Sequence, residues 1–167
     1  TKLPFEIGPG MNTLTPMNEV QFQRYLQVMI PDYAQDKVRS GQWAQAEALV
    51  LAQQSIQDSL PQGVATPDNH LYVMEHGPAR DVMGMIWIAA QQRGDRRVAY
   101  VCDVIVEEPY RRQGHATAAF DAIEKKALEL GLSGVALHVF GHNAQAHALY
   151  VKLGYIATNI NMFKALT

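Results

Sequence analysis

The sequence predicts a mixed α/β fold, a partly antiparallel sheet flanked by helices. Two helical patterns open the chain, three strand-like runs with glycine turns follow, and helix and strand patterns then alternate to the end. Of the 167 residues 48% are hydrophobic, enough for one substantial core, so a single domain is expected over residues 11–167. "TKLPFEIGPG" has no periodicity and precedes Met11, so residues 1–10 are expected to be an appended remnant or an N-terminal extension.

In "PMNEVQFQRYLQVMIPDY", Phe22, Tyr25, Leu26, Met29, Ile30 and Tyr33 recur at helical spacing. Asn18 and Gln21 have capping-box spacing, and Met17 and Phe22 occupy the hydrophobic-staple positions. Pro31 removes a backbone donor, so the helix is expected to end or kink there. A second helix is expected on Trp43, Ala46, Leu49, Val50, Ile56 and Leu60, stopped by "LPQG". The stretch "HLYVMEHGPARDVMGMIWIAAQQRGDRRVAYVCDVIV" reads as a three-stranded antiparallel meander. A long helix from about Gly114 to Leu130, a strand "GVALHVF", a helix from about Asn143 to Leu153 closed by Gly154, and a last strand "YIATNINMFKAL" complete the expectation.

Fourteen Lys and Arg against sixteen Asp and Glu leave a net charge of -2. No global field then favours nucleic acid or an anionic membrane, and neither is an expected partner. Cys102 is the only cysteine, which rules out an internal disulfide framework and fits a reducing compartment. The longest nearly apolar run, Val82 to Ala90, is far short of the roughly 18 residues a membrane span needs, so a cytoplasmic protein is expected. His138, His142 and His147 fall in turn on a strand, a loop and a helix with no carboxylate or cysteine at ligand spacing, so no metal is expected.

The informative stretch is "VIVEEPYRRQGHATAAF". A strand that ends in a glycine turn and opens a helix aims unpaired N–H groups at one spot, with the positive end of the helix dipole behind them. Such a nest suits a phosphate. Arg111 and Arg112 would add charge-assisted contacts, and the small Gly114 and Ala116 would let it approach; alternatively, the two arginines only solvate a loop. Neither the nucleoside-triphosphate loop nor the dinucleotide fingerprint is present.

Arg111-x-x-Gly114-x-Ala116 after "VIVEEPY" resembles the acyl-CoA pyrophosphate loop of the GNAT superfamily of N-acetyltransferases. "NAQAHALYVKLGYIA" resembles that family's second motif, and the order of elements matches from about Leu14 to Leu166. The resemblance implies acetyl-CoA as acyl donor, cradled by Arg111, Arg112, Gln113, Gly114, His115, Ala116 and Thr117. It implies a bulge in the third meander strand whose freed N–H groups, at about Val104 and Val106, meet the thioester. It also implies that Asn143 bonds the pantetheine arm and that Tyr150 directs its hydroxyl at the sulfur. From spacing alone, Asn143 could equally be a helix cap, and Tyr150 part of an apolar stripe with Ala146, Leu149 and Leu153.

The acceptor sets the hard step. An amine of pKa about 10.4 is neutral in about one molecule in 2,500 at pH 7, a handicap of about 4.6 kcal/mol. A tyrosine of pKa about 10 can protonate the departing thiolate, which makes Tyr150 the candidate general acid. Asp103 is an acid within an apolar strand; a carboxylate of pKa about 3.9 is poorly matched as base to an ammonium, so Asp103 is expected to hold the cationic acceptor while water removes the proton, unless it merely faces solvent. Glu107 is the alternative for that work. Tyr33, Lys37 and Trp43, at the joint of the first two helices, and Trp87 are candidates for the acceptor wall, or simply core. Cys102, between Tyr100 and Val104, reads as a small core residue and leaves no nucleophile for a covalent intermediate.

The reading is therefore a GNAT-type N-acetyltransferase acting on an amine by direct attack in a ternary complex, with a homodimer as its further partner state. The rival is an acyl-CoA-binding sensor or scaffold without turnover.

Overall fold

The structure, a computed structural model, describes residues 5–6 and 12–166. The expected boundary at Met11 lies outside the described residues. In chain order the elements are β1 (Phe5–Glu6), β2 (Asn12–Pro16), α1 (Glu19–Arg39), α2 (Ala48–Ser59), β3 (Asn69–His76), β4 (Asp81–Arg93), β5 (Arg96–Val106), α3 (His115–Glu129), β6 (Val135–Leu137) and α4 (Ala144–Lys152). The strands form one sheet in the order β1 to β6, antiparallel as far as β5 and parallel between β5 and β6. This is the mixed, partly antiparallel sheet flanked by helices that the residue pattern predicts. None of the described helices is long and apolar enough to cross a membrane.

Alternation along the strands sorts the core into two layers. Leu71, Val73, Met85 and Trp87 pack with Phe22, Tyr25 and Met29 of α1 and Ile56 of α2. Tyr72, Met74, Ile86 and Ile88 face the other way, against Phe120 and Ile123 of α3, and Tyr150 and Leu153 border that layer.

At the start of α1 both halves of the capping box form: Asn18 Oδ1 accepts from Gln21 N–H at 2.9 Å, and Gln21 Oε1 accepts from Asn18 N–H at 3.0 Å. The expectation at Pro31 is corrected, because α1 runs on to Arg39. An interior proline costs about 3 kcal/mol, but Met29 before it and Ala34 after it are both buried, so packing on both sides holds one helix. The expected face of α2 is also corrected. Ala48, Ala52 and Ile56 are buried while Leu49 and Val50 face solvent, because alanines at i and i+4 let α2 approach α1 closely.

A third correction concerns the C-terminus. The stretch expected as the last strand joins no sheet, and residues 156–166 are all exposed. Its alternating pattern supports an extended conformation, but a strand also needs a neighbour's hydrogen bonds, and among the described residues none pairs with it.

Gly84 marks a close approach between β4 and β5. A Cβ built there would lie 2.2 Å from the Ile105 carbonyl oxygen and 2.3 Å from the Met74 methyl carbon. Met74 can shift but backbone cannot, so Gly84→Ala is expected to cost about 3 kcal/mol, the top of the usual overpacking range. Urea unfolding of the two proteins checks this.

Candidate active site

Beyond β5 the chain makes one turn of 3-10 helix, Glu108–Tyr110, and reaches Gly114. Two side chains tie this turn to what precedes it: Arg111 Nε donates to Val106 O at 2.8 Å, and Gln113 Nε2 donates to Pro109 O at 2.7 Å. Arg112 and Gly114 take positive φ, 59° and 86°, which aims the backbone into α3. Gly114 is the N-cap and brings no side-chain hydrogen bond to the helix. The first-turn N–H groups, at His115, Ala116 and Thr117, therefore face outward with the helix dipole behind them. A Cβ on Gly114 would meet no atom within 4 Å, so the approach is open. These features fit a diphosphate. His115 lies beside His76 and Tyr110, at 5.7 and 6.1 Å between ring centroids, and burial followed by the His76 charge lowers its pKa.

Next to this turn the sheet opens. Among the described residues β6 pairs only with Ala99, Tyr100 and Val101, so there β5 beyond Val101 has β4 on one side and no strand on the other. The bulge implied at about Val104 and Val106 sits earlier. Ile88 opposes Val101 and Trp87 opposes Asp103, so Cys102 is the extra residue, while Val104 and Val106 stay paired with Ile86 and Gly84. The bulge turns two successive side chains toward α1: Cys102 packs in the layer of Tyr25 and Trp87, and Asp103 bonds Tyr25.

Asp103 accepts a 2.8 Å hydrogen bond from the buried Tyr25 hydroxyl. Burial pushes its pKa up to about 6, against the pull of Tyr25 and the Val104 N–H, with Asp32 and Asp36 adding a smaller push upward. Tyr150 is half-buried, its ring edge-on to Phe120 at 5.3 Å. Its pKa is raised by burial first and by Asp103 second, so the phenol stays protonated at neutral pH. Burial and then Asp103 push the Cys102 thiol up to about 12, which keeps it protonated and a poor nucleophile at neutral pH.

On the α1 side, Tyr33, Lys37 and Trp43 come together. Lys37 Nζ lies 5.4 Å from each of the Tyr33 and Trp43 ring centroids and 5.9 Å from that of Phe140, and burial lowers its pKa. His142 bonds Asp36 at 2.8 Å, closing the end of α1 against the loop before α4. Trp87 is placed otherwise: buried in the α1 layer, with its indole N–H donating to Asn69 Oδ1 at 2.7 Å, it is core. Glu107 follows β5, its own N–H bonded to Met83 O at 2.8 Å. Asn143 caps α4, Oδ1 accepting from Ala146 N–H at 3.1 Å. No group of three or more His, Cys, Asp or Glu suited to a metal occurs among the described residues.

Three contributors escape the sequence reading: Tyr25, Asp36 and Phe140. Tyr25 sits in the apolar stripe of α1, and its partner lies 78 residues away. The capping and periodicity signals say nothing about such a pair.

Comparison with known proteins defines the class. A sequence profile described as the acetyltransferase (GNAT) family matches residues 30–155, and the chain belongs to that family. It is an acyltransferase with the GNAT fold, in a family that generally uses acetyl-CoA. Among its relatives, the uncharacterised N-acetyltransferase YycN of Bacillus subtilis is 36% identical over 153 residues, covering 92% of this chain and 97% of that protein. A second B. subtilis protein, the uncharacterised N-acetyltransferase YdgE, is 32% identical and covers 92% and 98%. The crystal structure of YycN superposes with a TM-score of 0.87 over 93% of this chain and 99% of that one. The aminoglycoside antibiotic 6'-N-acetyltransferase AAC(6')-Ih of Acinetobacter baumannii, at 17% identity and a TM-score of 0.62 over 93% and 98%, shares the fold.

Proposed function

We propose that this protein transfers an acetyl group from acetyl-CoA to a cationic amine by direct attack in a ternary complex. The observation that carries the reading is the uncapped start of α3, entered through the left-handed Gly114, beside the stretch of β5 that β6 does not cover. Acetyl-CoA, when bound, supplies a thioester carbonyl carbon for the amine. The N–H groups of His115, Ala116 and Thr117 hold the diphosphate, with Arg111, Arg112 and Gln113 shaping the turn. Asn143 steers the pantetheine arm, and the backbone N–H of Val106 offers a donor to the charge that develops on the carbonyl oxygen, the Val104 N–H being engaged by Asp103. Tyr150 protonates the leaving sulfur.

Asp103, with Asp32 and Asp36 nearby, makes the acceptor side anionic and attracts an ammonium, whose proton leaves through water. The protonated Cys102 thiol supports direct transfer over a covalent intermediate. Tyr33, Lys37, Trp43 and Phe140 form the acceptor wall, and Glu107 stands at its margin. The reading includes a single domain over residues 11–167, a cytoplasmic setting, no metal, no nucleic-acid or membrane partner, and a second copy of the chain.

Melting curves with and without CoA test the cofactor site. At about one hundred times its Kd, a ligand of the native state adds about 2.7 kcal/mol, which at this size raises Tm by about 5–11 °C. Gly114→Glu sets a carboxylate before the uncapped N–H groups and is expected to abolish the shift. No shift in the parent protein at saturating CoA would overturn the assignment.

A further inference from the structure

Lys37 is a half-buried cation without an anion. Its ammonium lies 5.4 Å from the Tyr33 and Trp43 ring centroids and 5.9 Å from that of Phe140, and it donates to Gln42 Oε1 at 2.8 Å. The rings come from α1, from the joint after it and from the loop before α4, so the ammonium is held where three parts of the chain meet. Tyr33 and Trp43 also pack edge-on at 5.4 Å, which fixes two of the rings against each other. An ammonium has three donors. Gln42 takes one, and among the described residues no carboxylate forms an ion pair with Lys37.

The neighbours do not supply the missing charge. Asp36 adjoins Lys37 in sequence, but successive helix residues do not face each other, and its carboxylate is bonded to His142. His138 feels the Lys37 charge, yet burial first and Lys37 second lower its pKa, so it adds no second cation at neutral pH. Lys37 therefore stands as a single positive charge in a setting where burial already disfavours it.

Further back along α1 stands the opposite charge. Asp103 is bonded to Tyr25 and feels Asp32 and Asp36, which makes that region anionic. From Tyr25 to Lys37 the helix advances about 18 Å. Acid and lysine are thus kept apart, and each bears a desolvation cost that pairing with the other would have relieved. A molecule positive at one end and negative at the other relieves both.

We infer that the acceptor is an elongated zwitterion, its amine drawn to Asp103 and a carboxylate several bonds away docked on Lys37. The amine end rests on the acetyl-transfer reading above; the anion end rests on Lys37 and its rings. A lone cation suits a singly charged group, so the anion is a carboxylate and not a phosphate. An α-amino acid, whose two charges sit on adjacent groups, is too short to reach both ends. The ring surfaces of Tyr33, Trp43 and Phe140 suit the aliphatic chain that joins them. Lys37 is then the residue that sets acceptor specificity.

The test uses 6-aminohexanoate and 6-aminohexanamide, which share an amine and a chain and differ only in the terminal charge. With acetyl-CoA and thiol detection, the acid is expected to exceed the amide in kcat/KM by about 10–100-fold, the worth of a hydrogen bond between charged groups. Lys37→Met keeps an apolar stem among the rings and removes the charge, so its ratio is expected to fall to about one. A ratio within one protein cancels any general loss of activity or folded fraction. Equal rates for the two compounds in the parent, or a preference that survives in Lys37→Met, overturns the inference and leaves acetyl transfer standing. Titration calorimetry with the two acetylated products reads the anion site without turnover, and N-acetyl-6-aminohexanoate is expected to bind about tenfold or more tighter than its amide. Tighter binding of that acid with no thiol release from either amine would overturn acetyl transfer and keep the anion site. Equal or undetectable binding of the two products overturns the anion site.

Discussion

Tyr150→Phe is expected to lower kcat by about 10²–10⁴-fold while leaving CoA-induced stabilisation intact. The ring packs edge-on to Phe120 and Tyr155, and phenylalanine preserves that packing, so only the hydroxyl is removed. The raised pKa keeps the phenol protonated well into the alkaline range, as an acid that serves a departing thiolate must be. Thiol release with a panel of amines measures the rate, and melting with CoA measures binding. Equal rates in the two proteins would remove Tyr150 from the chemistry. Unchanged CoA binding with no turnover by the parent on any amine would favour a binding module instead.

Asp103→Asn is expected to lose about 10–100-fold in kcat/KM for a cationic amine, the worth of a hydrogen bond to a charged group, while becoming more stable. The folded protein holds this carboxyl at a pKa of about 6, above its ordinary 3.8. Between about pH 4 and pH 6 the native state therefore binds more protons than the unfolded chain, and stability falls as pH rises through that window. Above it the cost is constant. Asparagine can still accept from Tyr25 and carries no charge, so the variant is expected to gain about 1–2 kcal/mol above pH 6, allowing for partial solvent contact, and nothing below pH 4. Urea unfolding at pH 4 and pH 7.5 reads the difference. The parent's kcat/KM is expected to show a limb with an apparent pKa of about 6, below the further rise set by deprotonation of the amine, and the variant to lack that limb. A variant less stable than the parent at neutral pH would mean that Asp103 is a structural anion rather than a strained site group.

Local chemistry made much of this legible. Asn18 with Gln21 announces a helix start because both halves of the capping box are contacts three residues apart. Arg111 to Ala116 announces the turn into α3 because a left-handed glycine before a helix is a local conformational demand. Failures arise where the outcome depends on distant partners. Pro31 breaks an isolated helix but is tolerated in α1, whose flanks are buried. Leu49 and Val50 look like a core face until Ala48 and Ala52 let α2 settle closer. The bulge falls at Cys102 and turns Asp103 toward its distant partner Tyr25. Sequence motifs locate a bulge only to within a few residues.

By itself, then, the order of residues determined the helices, the meander, the left-handed glycine turn into α3 and the family, since each is written in spacings shorter than one element. Tertiary structure alone decided that Tyr25 buttresses Asp103, that burial and the Asp103 charge raise the Tyr150 pKa, that Lys37 sits among three rings, and that residues 156–166 stay outside the sheet. Those are properties of chain regions brought together by packing, and the free energy that selects them belongs to burial and hydrogen bonding between elements.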